Sequence, residues 1–223
     1  TGKEDEATLR FVDRCSKEWG VPVTWLEYRA DKPNFEVVGF QTASRNGEPF
    51  ERMITEKKYL PNTFARFCTT ELKILPMKRY LNSIGFDDYT TFVGVRADEP
   101  RRVAKMRANA DEKLTPLASA GVGNSEVLSF WEKQEFNLET VTVNGNSLLS
   151  NCDLCFLKKP YHVLNLVKQN PDRAVWWANQ EKRIGARFNQ AIPAYRDMLA
   201  FVAKQKELDF FADTSSIDCF CGD

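Results

Sequence analysis

The first half of the chain alternates segments typical of helices with segments typical of strands, and this alternation constrains the fold more than any other feature. Across residues 4–19 apolar side chains recur every three or four positions, which is typical of one helix face, and Gly20 is placed to end that helix. Residues 21–28 then alternate as a strand does. Because helices and strands joined by short links are typical of a parallel sheet, the sequence predicts an α/β fold.

The same order continues along the chain. Residues 70–83 read as a helix, in which Pro76 predicts a kink or a late start, and residues 89–95 read as a strand. Residues 35–42 are either a strand or part of a long loop. Further helices are predicted from Asn124 and over residues 161–169, 172–184 and 194–205. The last third is therefore helical, and we divide the chain into residues 1–145 and residues 146–223.

Charge and hydropathy restrict the compartment and the partners. The 31 Lys and Arg residues balance the 31 Asp and Glu residues, so no net field attracts the chain to nucleic acid or to an anionic membrane. The sequence has no apolar run of membrane-spanning length and shows no signal peptide. We therefore expect a cytoplasmic protein without a membrane partner. The first residue is Thr1 rather than Met, which indicates a fragment or a processed chain.

Four of the six cysteines form two closely spaced pairs, Cys152-x-x-Cys155 and Cys219-x-Cys221. Clustered cysteines in a reducing compartment more often indicate metal binding or catalysis than disulfides. Thiolates are soft ligands that suit iron–sulfur clusters or Zn²⁺. The alternative is that these are buried free thiols, because cysteine is among the most buried residue types.

Five segments carry motifs in a recognisable order. They are Thr1-Gly2-Lys3-Glu4 with the helix that runs to Trp19, residues 67–76 (FCTTELKILP), residues 93–102 (VGVRADEPRR), Pro116-Leu117 ahead of a helix with Trp131, and residues 151–155 (NCDLC). In this order they resemble the phosphoadenosine phosphosulfate (PAPS) reductase family of the PP-loop superfamily. The resemblance extends over nearly the whole chain.

The resemblance implies a Rossmann-like parallel sheet flanked by helices, with residues 1–145 as a nucleotide-binding domain and residues 146–223 as a helical portion that carries the cysteine pairs. The family's phosphate loop, S-G-G-K-D-S, does not occur in this sequence. By the resemblance it would lie before Thr1. We therefore expect the N-terminal part of the nucleotide-binding domain to be missing.

The resemblance also implies a set of nucleotide-binding or substrate-binding residues. They are Thr1, Gly2, Lys73, Gly94, Arg96, Arg101 and Arg102. Arginines that follow the carboxyl end of a strand are well placed to bind phosphate or sulfate. Two alternatives remain open: Lys73 is an ordinary exposed helical lysine, and Asp98 and Glu99 neutralise the arginines locally.

For the cysteines, the resemblance implies that Cys68, Cys152 and Cys155 hold a metal centre. Thr69 stands where the family has a further cysteine. Cys219 or Cys221 can supply the fourth ligand, or the position stays open for substrate sulfur. We expect an iron–sulfur cluster of the four-iron type, with Zn²⁺ as the alternative. Cys219 and Cys221 are also the candidate catalytic thiols, although the family's E-C-G-x-H element is absent.

Together these features predict an enzyme that binds an adenine nucleotide, either ATP or a sulfonucleotide, and acts in sulfonucleotide reduction or sulfur transfer. A thiol reductant is an expected partner, and nucleic acid enters only as a substrate. One alternative is a sulfurtransferase of the ATP-pyrophosphatase type, for example in nucleic-acid sulfur modification. The others are a non-catalytic nucleotide-binding module with a structural metal and an interaction protein with buried cysteines.

Overall fold

The computed structural model of the chain describes residues 1–108, 113–143 and 146–204. Within these residues the protein is mixed α/β, with close to half of the positions in helices and with strands paired two by two. The predicted α/β class is therefore confirmed.

The helices are α1 (Glu6–Trp19), α2 (Glu48–Lys57), α3 (Phe67–Thr69), α4 (Leu75–Ser83), α5 (Pro100–Ala108), α6 (Pro116–Ser119), α7 (Asn124–Glu132), α8 (Pro160–Gln169), α9 (Asp172–Ile184) and α10 (Tyr195–Lys204). The strands are β1 (Trp25–Tyr28), β2 (Phe35–Val38), β3 (Thr91–Phe92), β4 (Lys113–Leu114), β5 (Thr142–Val143) and β6 (Asn146–Ser147). A π-helical turn over Thr70–Ile74 joins α3 to α4.

Helix α1 is held by a cap at each end. The side chain of Asp5 accepts a hydrogen bond from the backbone N–H of Ala7, and Gly20 adopts the left-handed conformation and donates its N–H to the carbonyl of Ser16. The predicted end at Gly20 is confirmed. The helix begins later than predicted because Asp5 is its cap and Glu4 forms an isolated antiparallel bridge with Cys152.

The strand predicted over residues 21–28 is shorter and pairs differently than expected. Only β1 is a strand, and it pairs antiparallel with β2, Trp25 opposite Val38 and Tyr28 opposite Phe35. The short connection over residues 29–34 permits a hairpin, whereas a parallel pair needs a crossover of a dozen or more residues. The prediction that this strand lies in a parallel sheet is therefore wrong for the pairing seen here.

A parallel pairing does occur around β3. It pairs with β4 in the order Thr91 opposite Lys113 and Phe92 opposite Leu114, and α5 lies in the connection between them. This is a small βαβ unit that begins in the strand predicted at 89–95 and includes the charged segment after it. In the described residues the parallel pairing is limited to these two strands, so the Rossmann-like sheet stays a prediction.

The helix predicted over residues 70–83 is present, but its first turns are π-helical. Helix α4 starts immediately before Pro76, the residue that predicted a kink or a late start. Proline has no backbone N–H. Near the start of a helical segment this loss costs little, because after the wider π-helical turn the N–H at that position would have no α-helical hydrogen-bond partner. Lys73 lies on the π-helical turn.

The chain divides into two compact units. The first comprises residues 1–80 and the described residues from 139 onward, and its core is centred on large side chains with less than 2% exposure, among them Phe50, Phe156, Trp177, Phe188 and Tyr195. The second, residues 81–138, has a smaller core of Val95, Val103 and Met106. These units do not follow the boundary at 145/146, whose functional meaning stays a prediction. No helix of the described ranges is long and apolar enough to cross a membrane.

Candidate functional site

Two segments that the sequence analysis singled out, the opening Thr1–Glu4 and the Cys152–Cys155 loop, lie side by side in the first unit. Besides the bridge between Glu4 and Cys152, the backbone N–H of Asp153 donates a 2.7 Å hydrogen bond to the carbonyl of Lys3. The side chains of the same two residues form an ion pair, with 3.2 Å between Lys3 Nζ and Asp153 Oδ2. Each side chain is only 8% exposed, so this is a buried pair.

The buried carboxylate has further partners. Trp177 donates its indole N–H to Asp153 Oδ1 over 2.9 Å, and the Leu154 backbone N–H donates to the same oxygen over 2.7 Å. The Lys3 ammonium also lies 5.3 Å from the ring centre of Trp176, a cation–π distance. Lys3 is thus used to hold the opening segment against the cysteine loop.

Gly2 is buried and has φ +75°, in the left-handed region. A Cβ on Gly2 would lie 3.0 Å from the backbone nitrogen of Gly47, and a Cβ on Gly47, at φ +87°, would lie 2.8 Å from the Trp176 ring and from Lys3. Both glycines are therefore needed for close packing. The resemblance implies that Gly2 lies beside a nucleotide; in the structure the backbone at Gly47 approaches Gly2 closely.

Around the sulfur of Cys152 lie a hydroxyl, a carboxylate and a lysine charge. Thr1 Oγ1 donates to Glu4 Oε1 over 2.7 Å and is 3.4 Å from Cys152 Sγ. Burial raises the pKa of the Cys152 thiol to about 11, and the Glu4 carboxylate adds to that shift while Lys73 opposes it. At neutral pH Cys152 is therefore a protonated thiol.

The pKa of the Glu4 carboxyl group depends on the same neighbours as that of Cys152. Burial opposes its ionisation, whereas the hydrogen bond from the Thr1 hydroxyl and the charge of Lys73 favour the ionised carboxylate. Lys73 is exposed to solvent on the π-helical turn, so its charge reaches both Glu4 and Cys152 from the surface. The predicted residues Thr1, Lys73 and Cys152 are thus brought together in one place.

The three predicted metal ligands, Cys68, Cys152 and Cys155, all lie at the main core, but they do not surround one metal ion. Cys68 and Cys152 are partly buried and pack on the main core cluster, and Cys155 is buried at 6% exposure. Within residues 1–108, 113–143 and 146–204, no three Cys, His, Asp or Glu side chains are placed to hold one metal ion. As arranged, the three cysteines do not converge on one metal ion, and the metal centre stays a prediction.

The predicted residues of the second unit lie around the end of β3. Gly94 is exposed, with open space where a Cβ would be, and Arg101 is exposed on α5. Arg96 pairs with Asp98, 2.9 Å between Nε and Oδ1, and Arg102 pairs with Glu99 over 2.5 Å. In the structure, local carboxylates therefore neutralise Arg96 and Arg102, which is one of the alternatives that the sequence left open.

The predicted catalytic thiols Cys219 and Cys221 lie outside the described residues. Sequence reasoning missed Asp153, Lys158 and Trp177 as organising residues of the site. Lys158 donates to the carbonyl of Cys152 over 2.6 Å and contacts Asn151 Oδ1. A signal was present: an aspartate between the two cysteines and a lysine just beyond them are charges in an otherwise apolar segment, and buried charges require partners.

Comparison with known proteins gives one similarity to report. No protein-family profile and no solved structure matches the chain. The chain is 32% identical over 169 residues to a protein of Escherichia phage lambda described as the uncharacterized nin region protein ORF290. The alignment covers 71% of this chain and 54% of the phage protein, so the chain spans about half the length of the curated relative it matches.

Proposed function

We propose that this chain binds an adenine nucleotide and acts, as PAPS reductase-like proteins do, in sulfonucleotide reduction or sulfur transfer. One observation supports this most directly: the Thr1–Glu4 segment, Lys73 and Cys152, which are distant in sequence and which the resemblance assigns to nucleotide and sulfur chemistry, meet in one unit. The fold that goes with this proposal is a Rossmann-like sheet of the PP-loop type. The βαβ arrangement of β3, α5 and β4 supports that part.

The proposed role of Lys73 is to bind the anionic part of the nucleotide. It is exposed, whereas Lys3 is buried. An ammonium group next to a phosphate or sulfate forms charge-assisted hydrogen bonds, which are stronger than those between neutral groups. The neighbouring Thr1 hydroxyl and Glu4 carboxylate are hydrogen-bonded to each other and line the same place.

The state of Cys152 bears on which reaction the site performs. A thiol with a pKa of about 11 is a poor nucleophile at neutral pH, because the thiolate is the reactive form. This disfavours direct attack by Cys152 and does not separate the reductase class from the adenylating sulfurtransferase class. Thiol attack in a reductase reaction would then belong to Cys219 or Cys221.

The nucleotide proposal is tested by isothermal titration calorimetry of the chain with ATP, with adenosine 5′-phosphosulfate and with adenosine. We expect both anionic nucleotides to bind more tightly than adenosine. Lys73→Ala should weaken them about tenfold, the equivalent of one charge-assisted hydrogen bond, and should leave adenosine unaffected. Lys78→Ala, which removes another exposed lysine from the same helical stretch, is the matched control. Equal affinities for the Lys73→Ala and wild-type proteins would contradict the proposal.

The metal centre is a separate prediction, and nucleotide binding does not depend on it. Its test is the iron, zinc and acid-labile sulfide content of protein purified without oxygen. Iron with matching sulfide that is lost in Cys68→Ser and Cys155→Ser would establish a cluster, because such clusters depend on their thiolates. Zinc without sulfide would make the centre a structural one. If neither iron nor zinc is found, the cysteines are buried thiols without a metal.

A further inference from the structure

The first unit contains a cavity of about 560 Å³ that the site around Cys152 does not use. Two connections form it, residues 59–64 between α2 and α3 and residues 186–191 between α9 and α10. Its volume lies within the range of pockets that hold small molecules, roughly 300–1,000 Å³. Phe188 closes its inner side and is fully buried.

Two aromatic side chains of this cavity are open to solvent. Phe64 is 98% exposed and Tyr59 is 48% exposed. The loop that carries Phe64 is nevertheless ordered by hydrogen bonds, because Asn62 Oδ1 accepts the backbone N–H groups of both Phe64 and Ala65. A phenyl ring with such exposure contributes almost nothing to the core, whereas a planar ligand that covers it gains stacking contacts.

Two polar side chains of the cavity, Arg187 and Gln190, have donors that are not used. Gln190 Oε1 accepts from Arg187 Nε, and Asn189 Oδ1 accepts from the backbone N–H of Ala191. In the part of the chain that the structure describes, Nη2 of Arg187 and the amide nitrogen of Gln190 donate no hydrogen bond. The Arg187 charge also acts on the buried Glu181 carboxylate, but both oxygens of that carboxylate already accept backbone N–H groups, from Phe188 and Tyr195. Unused donors together with a guanidinium favour a ligand that carries an anionic acceptor.

We propose that this cavity binds a nucleotide unit, with the base stacked on Phe64 and Tyr59 and the phosphate on Arg187. A ligand of this size that carries both a planar ring and an anionic group fits the exposed rings and the unused donors at the same time. The unit can come from a free nucleotide or from a single nucleic-acid strand. This site shares no residue with the one around Lys73 and Cys152, so it stands independently of the proposed function.

The test uses a pyrimidine, which separates this cavity from an adenine site. Binding of thymidine 5′-monophosphate and thymidine to the full chain is measured by calorimetry, and binding of a fluorescein-labelled short oligothymidylate is measured by anisotropy at several salt concentrations. We expect the monophosphate to bind more tightly than thymidine. Phe64→Ala should weaken binding about tenfold, and Arg187→Gln should weaken it and reduce the salt dependence.

Matched variants distinguish this site from general effects. Phe92→Ala, which removes a side chain that is 67% exposed in β3, and Arg196→Gln, whose side chain is 79% exposed on α10, should change nothing. Lys73→Ala should also leave thymidylate binding unchanged. Arg187→Gln loses a hydrogen bond to the Ile192 carbonyl, so this variant can affect folding. Phe64 has almost no contacts, so Phe64→Ala should keep the fold and is the decisive variant.

Each result decides the proposal. Binding of the oligonucleotide alone assigns the cavity to a nucleic-acid strand, and binding of the monophosphate assigns it to a free nucleotide, provided that Phe64→Ala weakens it. No binding of either ligand overturns the proposal, as does binding that Phe64→Ala leaves intact. Neither of these outcomes affects adenine-nucleotide binding that depends on Lys73.

Discussion

At the scale of single residues, the ion pair between Lys3 and Asp153 decides how the cysteine loop is held. Both charges are buried, and the carboxylate also accepts the indole N–H of Trp177. A buried pair contributes little net stability against apolar residues, but removing one partner leaves an uncompensated charge. Lys3 therefore acts through structure and not through a ligand.

Asp153→Asn should destabilise the protein by about 3 kcal/mol, because Lys3 then remains charged and buried without a partner. The asparagine oxygen can still accept from Trp177, so the effect reports the charge. Urea unfolding measures it. Asp13→Asn, which breaks the exposed pair with Lys17, is the control and should cost less than about 0.5 kcal/mol. Similar losses in the two variants would show that the pair around Asp153 is not buried.

The reactivity of Cys152 tests the charges around it. In metal-free protein at pH 8, iodoacetamide should modify Cys152 slowly, and the rate should rise toward pH 11 as the thiolate forms. Glu4→Gln removes a negative charge that raises the pKa and should increase the rate about twofold or more, whereas Lys73→Ala should decrease it. Peptide mass mapping follows each site, with Cys15 as the internal reference. Changes of equal sign in both variants would refute this arrangement.

At the scale of elements, the connection ahead of α2 shows how a glycine fits one segment to another. Gly47 lies at the start of α2 in the left-handed conformation and has no space for a Cβ between Lys3 and Trp176. Gly185, which ends α9, has a similar φ of +72° but open space around it. The two glycines therefore differ in packing and not in backbone conformation.

Gly47→Ala should destabilise the protein by roughly 3 kcal/mol, from left-handed strain together with overpacking against Trp176. Gly185→Ala should cost only about 1 kcal/mol, because strain acts there alone. Thermal and urea unfolding of both variants provide the comparison. If both substitutions cost the same, the close approach of Gly47 to Lys3 and Trp176 does not exist in solution.

The elements also show how far sequence patterns reach. Helix α9 has the predicted bounds, because a periodic apolar pattern and a terminal glycine are local signals. The first strand was predicted too long and in a parallel sheet, because a strand's partner depends on the connection that follows it. The site followed the same rule: the resemblance singled out Thr1, Lys73 and Cys152 separately, and no sequence pattern predicted that Lys3 would be buried against Asp153.

At the scale of the whole molecule, the two units have cores of very different size. The first has a cluster of nineteen buried side chains among the described residues, whereas the second has three. Apolar burial is the main favourable contribution to folding, so the local free energy of opening should differ between them. Amide hydrogen exchange followed by mass spectrometry should therefore show lower protection in residues 81–138 than around Trp177 and Tyr195. Equal protection would mean that both open as one cooperative unit.

By itself the sequence determined the helices with strong periodicity, the end of the first helix at Gly20, and the mixed α/β class, because these depend on propensities and patterns within a few residues. Only the tertiary structure decided that β1 turns back onto β2, that Arg96 and Arg102 are paired with local carboxylates, and that the chain's opening segment is held by the loop at Asp153. These outcomes depend on which polar and charged groups need a partner once the apolar surfaces are buried. For the opening segment and the Asp153 loop, this is a property of contacts between segments distant in sequence, which no local pattern records. The hairpin and the arginine pairs are contacts between near neighbours, where the sequence allows more than one arrangement.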